Sequence, residues 1–271
     1  MGLIRSIRDI RGLRGPDKLV SYPSFEDALA DSNSYEDPRL IQIVREKTKI
    51  YRDAFTSSSP IVASRQTAQN MFVLSHVAPE RAVNVLEVGG ACGASYFEMK
   101  HLLPSRIGQW AITETPAMAT AGNDLNDDPN LSFHSDLISA AKQLQSRDLA
   151  IAQGVLQYAG NPIAMLNALF ELEFSYVYIT RTAVADVDVP VFIKQDTELA
   201  AHGPGRLPNA PAGQTTQPMT LVSYDSLLSA TPPNYEIVFK FNESEDRVLS
   251  ISERRVTARD AGFLARLQAH S

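Results

Sequence analysis

The chain of 271 residues is long enough for one large α/β core with modest additions, and its 44% apolar and 21% charged content excludes wholesale disorder. Twenty-five basic against 31 acidic residues give a net charge of −6, the wrong sign for a protein whose main partner is a nucleic-acid backbone. A single cysteine, Cys92, excludes an internal disulfide and a zinc ribbon, which fits a reducing, cytoplasmic setting, and no apolar run is long enough to span a bilayer.

Residues 1–20 read as a basic amphipathic arm. Arg5, Arg8, Arg11, Arg14 and Lys18 face only Asp9 and Asp17, while Leu3, Ile4, Ile7 and Ile10 fall at helical spacing before the break at Gly15-Pro16. Two partners suit such an arm: the anionic inner face of a membrane, contacted peripherally through residues 1–18, or a protein surface, including a second copy in a homodimer. Residues 21–80 read as a helical extension. Its two helical stretches start at Asp37-Pro38 and span 61–77.

From residue 83 the rhythm changes. Short β-rich runs at 83–88, 110–113, 131–133, 149–152 and 176–180 alternate with helix-compatible segments, the pattern of a parallel sheet covered on both faces. Residues 81–256 are therefore expected to form a Rossmann-like α/β domain. Within it, the Pro- and Gly-rich stretch 202–218 is expected to be a long loop. Beyond it, 235–241 and 247–252 read as strands that pair with each other as a hairpin, and 257–271 as a C-terminal tail.

The most informative stretch is Leu86-Glu87-Val88-Gly89-Gly90-Ala91-Cys92-Gly93, an apolar strand running into a glycine-dense turn and then a helical pattern. Glycines there let main chain approach a ligand, and the following helix start presents N–H groups to it. At the end of the next strand, in Thr113-Glu114-Thr115, stands an acid placed to accept both hydroxyls of a ribose. The dinucleotide spacing G-x-G-x-x-G is absent; the glycines fall as G-G-x-x-G, with Glu87 two residues ahead.

That opening resembles motif I of class I S-adenosylmethionine-dependent methyltransferases, acid-x-G-x-G-x-G, with Ala91 at the middle glycine position. The resemblance covers roughly residues 80–255. It implies a mostly parallel seven-stranded sheet closed by a C-terminal antiparallel hairpin, with S-adenosylmethionine as cofactor. Glu87, Gly89, Gly90, Ala91 and Gly93 would then lie at the methionine end, Glu114 and Thr115 at the ribose, Asp136 of Phe133-His134-Ser135-Asp136 near the adenine, and Gln153 beyond the fourth strand. Asp148, at the other end of that strand, would be structural. More narrowly, the chain looks like a family of bacterial methyltransferases of uncharacterised activity associated with cell-surface polysaccharide biosynthesis. Ser24-Phe25-Glu26-Asp27-Ala28, Leu86-Glu87-Val88-Gly89-Gly90, Gly154-Val155-Leu156-Gln157-Tyr158, Ile179-Thr180-Arg181-Thr182 and Ala261-Gly262-Phe263-Leu264-Ala265-Arg266 carry that likeness. Thr180 stands where that family usually has an acid.

Methyl transfer from a sulfonium needs nucleophile and methyl held at near-attack distance, and a hydroxyl nucleophile also needs a base. His134 is the candidate base, Arg181 a candidate partner for a substrate carboxylate or phosphate or else a cap on the sheet, and Tyr158 a cover for cofactor or acceptor. Cys92 reads as packing, and no metal is expected. The expected function is methylation, at oxygen, of a small or carbohydrate-linked acceptor. Its rivals are a non-catalytic cofactor-binding scaffold and a nicotinamide-dependent oxidoreductase.

Overall fold

A computed structural model describes residues 19–33, 35–55 and 63–268. The basic arm at 1–18 and the start of the 61–77 stretch lie outside them. The chain begins with a short strand β1 (Ser21–Tyr22) and helix α1 (Phe25–Ala30), capped by the Ser24 hydroxyl. Helix α2 (Pro38–Ala54) starts where Asp37-Pro38 predicted it: the Asp37 carboxylate accepts the Arg39 N–H at 2.9 Å and Pro38 fills the first turn, where no N–H is needed. Helix α3 (Arg65–Val77) opens on a capping box between Ser64 and Thr67.

Then follow β2 (Val83–Val88), α4 (Ala94–Leu102), β3 (Ile107–Thr113), α5 (Pro116–Leu125), β4 (Leu131–His134), α6 (Leu137–Gln143), β5 (Leu149–Gln153), a 3-10 turn at Leu156–Tyr158, α7 (Pro162–Glu171) and β6 (Tyr176–Ala185). All five predicted parallel strands are present. They pair in parallel in the order β4-β3-β2-β5-β6. The chain thus runs outward from β2 to β4, returns to β5 beside β2, and continues the other way. One apolar layer joins this sheet to α6, α7 and α8 (Tyr224–Ser229), and another joins it to α3, α4 and α5. Five of the six β2 residues are buried, as both covered faces demand.

Three sequence expectations are corrected beyond β6. The expected tail is largely the longest strand of the protein, β11 (Arg254–Leu267), which runs antiparallel to β6. The segments expected to form a hairpin, β9 (Tyr235–Asn242) and β10 (Arg247–Ile251), do not pair with each other; each pairs antiparallel with β11. The sheet consequently has eight strands rather than seven. Gly262 permits this: a Cβ there would collide with the Ile179 carbonyl where β11 lies against β6. Lastly, the expected loop at 202–218 is shorter. Its last residues belong to β8 (Gln214–Leu221), which pairs with β7 (Val191–Glu198) and, through it, with β1 as a separate three-stranded sheet.

This small sheet is tied to the N-terminal helices. Buried Lys47 of α2 donates to the carbonyls of Ala200 (3.1 Å) and His202 (2.6 Å), and Asn33 N–H bonds Thr216 O at 2.9 Å. Among the described residues no helix is long and apolar enough to cross a membrane.

Asp148 is structural, as its place at the far end of β5 implied. The Arg81 fork meets its carboxylate at 2.7 and 2.8 Å, with Asn84 N–H and the Ser146 hydroxyl each at 2.9 Å. Burial alone would raise its pKa; those donors outweigh it and hold the carboxyl below the ordinary range. Because the folded pKa is depressed, this contribution is present at neutral pH and lost as pH falls. Asp148→Asn should lower unfolding free energy at pH 7 by about 1–3 kcal/mol in denaturant melts, with the penalty shrinking toward pH 3.

Candidate functional site

An open parallel sheet binds ligands outside the carboxyl ends of its strands, where strand order reverses. Here that point lies between β2 and β5, and the glycine turn leaves β2 there. Three of its five residues are left-handed: Gly89 (φ 72°), Ala91 (φ 50°) and Gly93 (φ 86°). Gly89 must also lack a side chain because a Cβ would stand 2.7 Å from Val155 Cγ2. At Gly90 the obstacle is the carboxyl of Glu87, 2.8 Å from the same hypothetical atom.

Glu87 is therefore folded directly beneath the turn, only 2% exposed. Trp110 Nε1 donates to its Oε2 at 2.9 Å. Burial raises its pKa to about 7, with the Trp110 and Ser95 donors opposing the rise and the nearby Glu114 charge adding to it. Glu114, at the end of β3, spans the next gap. Its Oε1 accepts the Ala91 N–H at 2.8 Å and its Oε2 the Thr115 N–H at 3.0 Å. Burial lifts its pKa as well, against those two N–H groups. The Thr115 hydroxyl is buried without a partner beside it. Cys92 is packing, as expected: it is buried against Met118 (3.6 Å), and desolvation pushes its thiol up to about 12.

Asp136 caps α6, its Oδ1 accepting Ser139 N–H at 2.8 Å, and these bonds lower its pKa at an exposed position. Gln153, partly buried, is reached by Asn70 Nδ2 of α3 at 3.4 Å. The three acceptor-side candidates do not assemble. His134 lies on the edge strand β4, with β3, β2 and β5 between it and β6, about four interstrand spacings of ~4.8 Å. Its Nε2 pairs with Ser132 Oγ at 3.0 Å, and partial burial lowers its pKa. The structure thus removes His134 from the group that includes Arg181 and Tyr158.

Those two are together. The Tyr158 hydroxyl donates to Gln195 Oε1 of β7 at 2.7 Å, and its ring packs edge-on against Tyr35, centroids 5.1 Å apart. Burial raises the Tyr35 phenol well above its ordinary value, with Tyr158 and Glu114 adding to the rise and Arg181 opposing it. Arg181 lies over Gly154, whose own backbone is left-handed at φ 64°.

Sequence reasoning missed Tyr35, Gln66, Gln69, Asn70 and Glu243. Gln66 and Gln69 share a polar network with Thr180 and Glu243, and Asn70 links Gln66 to Gln153. Glu243 bonds both the Thr180 hydroxyl and the Arg181 N–H. An acid thus stands beside Thr180 in space, carried in from the end of β9. The helical spacing at 61–77 marked α3 as a helix but not Gln66, Gln69 and Asn70 as site residues, and nothing local marks Glu243.

No protein-family model and no curated protein matches the chain. Among solved structures it is similar to the N-terminal domain of EvdMO1 crystallised in the presence of SAH and D-fucose, at 12% identity over 83% of this chain and 97% of that one, with a TM-score of 0.45. It is also similar to a S-adenosylmethionine-dependent methyltransferase from Clostridium acetobutylicum ATCC 824 (10%, 81% and 97%, TM-score 0.44) and to LepI in complex with SAM (11%, 80% and 51%, TM-score 0.43). Likeness at this level assigns neither residues nor activity.

The Glu87 geometry has a measurable consequence. An acid whose folded pKa is raised stabilises the protein most below its unfolded pKa, and that contribution is lost as pH rises through about 7. Relative to Glu87→Gln, the wild-type unfolding free energy should fall by about 2–3 kcal/mol between pH 5 and pH 8. A pH-independent difference in urea melts would contradict the buried, protonatable state.

Proposed function

We propose that the chain is an S-adenosylmethionine-dependent methyltransferase, and that the cofactor lies across the carboxyl ends of β2 and β3. One observation carries the reading: two acids, Glu87 and Glu114, close upon a turn that has no room for a side chain at Gly89 or Gly90. The donor set fits this cofactor. Its ammonium, its ribose hydroxyls and its positive sulfonium all favour carboxylates, and a glycine turn lets main chain approach them. A dinucleotide would instead lay its pyrophosphate on the turn, above the Glu87 carboxyl, where a negative partner gives no attraction. The nicotinamide reading is weaker for that reason.

Bound there, the cofactor would supply an electrophilic methyl with a good leaving group. The chain's own residues supply position. Glu87 and the turn would hold the methionine end, and Glu114 with Thr115 the ribose. Asp136 would stand toward the adenine and Gln153 toward the reacting end. Tyr35 and Tyr158 would cover the cleft and exclude water. We place the acceptor at the ends of β5 and β6, under the small sheet. Buried Gln195, Thr215, Gln217 and Thr220 make that sheet unusually polar inside, which suits a hydroxyl-rich, small or carbohydrate-linked acceptor methylated at oxygen.

Calorimetry with S-adenosylhomocysteine tests the cofactor site. Wild type should bind, and Glu114→Ala should lose about 1–3 kcal/mol of affinity because hydrogen bonds to a charged acceptor are removed. Unchanged affinity would remove Glu114 from the site. Binding of NAD with none of S-adenosylhomocysteine would overturn the reading. Tight binding without turnover on any acceptor would favour the scaffold instead. A second measurement follows from Glu87: affinity should rise from pH 6 to pH 8 as the carboxyl ionises toward the cofactor's ammonium, and Glu87→Gln should flatten that rise.

A further inference from the structure

Arg181 adopts a conformation that long side chains avoid. Its φ is 54°, in the left-handed region where an L residue costs about 1–2 kcal/mol. Such a residue persists only where its surroundings over-determine it, and here a buried carboxylate does so. Glu243 is 4% exposed at the end of β9; its Oε1 takes the Thr180 hydroxyl and Gln69 Nε2 (2.7 Å), and its Oε2 takes the Arg181 N–H. Arg65 secures the Glu243 carbonyl from α3.

The strained backbone aims the side chain along the mouth of β5 and β6. Its guanidinium carbon lies 3.8 Å from the position a Cβ on Gly154 would occupy, so Gly154 keeps the space beside the fork clear. The guanidinium makes no hydrogen bond or ion pair with any described residue, although it is only partly exposed and acts electrostatically on both Tyr35 and Tyr158. Neither sheet carbonyl nor acid takes the fork, so the sheet-capping alternative does not hold. Beside it Gln157, 7% exposed, donates weakly to Arg181 O at 3.4 Å and leaves its own Oε1 without a partner. A half-buried cation kept unpaired by a costly backbone geometry is arranged for a partner that arrives from outside.

We infer that Arg181 is the anion-recognition group of the acceptor site, taking a carboxylate or phosphate oxygen pair in its fork, and that Glu243 is the positioning residue that aims it. Naming the anion as part of the acceptor rests on the methyl-transfer reading; the anion site itself does not. The separation of charge supports the assignment. Glu87 and Glu114 sit at the β2 and β3 end, whereas the Arg181 guanidinium sits at the β6 end, where its charge also acts on the buried Glu243 carboxylate and its fork stays open to a further anion.

The test titrates the full chain, with and without bound S-adenosylhomocysteine, with inorganic phosphate and with malonate at constant ionic strength. Arginine Nε–Hε resonances report the binding. One or both anions should shift the Arg181 resonance saturably; malonate alone assigns a carboxylate and phosphate alone a phosphate. Arg181→Gln should weaken that anion roughly tenfold to a hundredfold, the usual loss for a charge-assisted pair. Arg181→Lys, which keeps charge but not the fork, should also weaken it and serves if the glutamine variant fails to fold. Glu243→Gln should move the Arg181 resonance before any anion is added and weaken the anion while leaving S-adenosylhomocysteine affinity within about twofold. No saturable shift with either anion, undiminished affinity in Arg181→Gln or Arg181→Lys, or an equal response to glycerol would overturn the anion site. An unmoved resonance in Glu243→Gln would overturn the positioning role. Failure to bind S-adenosylhomocysteine in wild type sinks the methyl-transfer reading alone, since the anion titration without it is read separately.

Discussion

The hydrogen bond from Ala91 N–H to the Glu114 carboxylate, 2.8 Å long, is the constraint on which the cleft depends. Ala91 is the one non-glycine left-handed residue in the turn, where an L side chain costs about 1–2 kcal/mol. A hydrogen bond to a charged acceptor contributes about 1.5–3 kcal/mol, enough to hold it there. Because Glu114 also takes the Thr115 N–H, one carboxylate ties the exit of β2 to the exit of β3. The N–H groups of the other two left-handed residues are also tied, Gly89 to the Thr113 carbonyl at 2.9 Å and Gly93 to the Gly90 carbonyl at 3.0 Å. The turn's shape and the position of the acid are therefore one feature.

The roof of the cleft has a separate origin. A hairpin inserted after β6 pairs with the short strand that precedes α1, and buried Lys47 fixes the chain beyond β7 through two carbonyls. An ammonium that is 2% exposed is tolerated because those acceptors replace its water. The small sheet meets the main sheet where Tyr158 donates to Gln195, and the ring of Tyr35 packs on Tyr158 there. Extension and insertion, far apart in the chain, make one cover.

What the sequence made legible follows from which signals are local. The strand–glycine–helix punctuation and the acid ending β3 lie within thirty residues and depend on backbone rules alone, so β2, the turn and Glu114 could be read directly. The hairpin expectation failed because turn residues at 242–246 show where a strand stops, not which strand it meets. Here β11 is long enough to take β9 on one half of its edge and β10 on the other. His134 was misplaced for a related reason: its position at a strand's end was right, but the strand's rank in the sheet is a tertiary fact. Nothing near Thr180 in the chain announces Glu243, which comes sixty-three residues later and accepts from the Thr180 hydroxyl.

The polarity of the cleft sets how a cationic cofactor and its acceptor could be arranged. A sulfonium placed near Arg181 would meet like charge in a half-buried setting, where screening by water is weak. Near Glu87 and Glu114 it meets opposite charge, and the left-handed turn gives it main-chain contact. An anionic acceptor is subject to the reverse preference: it is repelled by the acids and drawn to the unpaired guanidinium. With the two carboxylates and the cation fixed on different strands of one sheet, swapping the occupants costs attraction at both ends. The same charges that would bind each molecule would therefore also orient the pair, with the methyl facing from β2 toward β6. Tyr35, whose phenol feels both the Glu114 and the Arg181 charge and whose ring packs against Tyr158, would be exposed to both occupants.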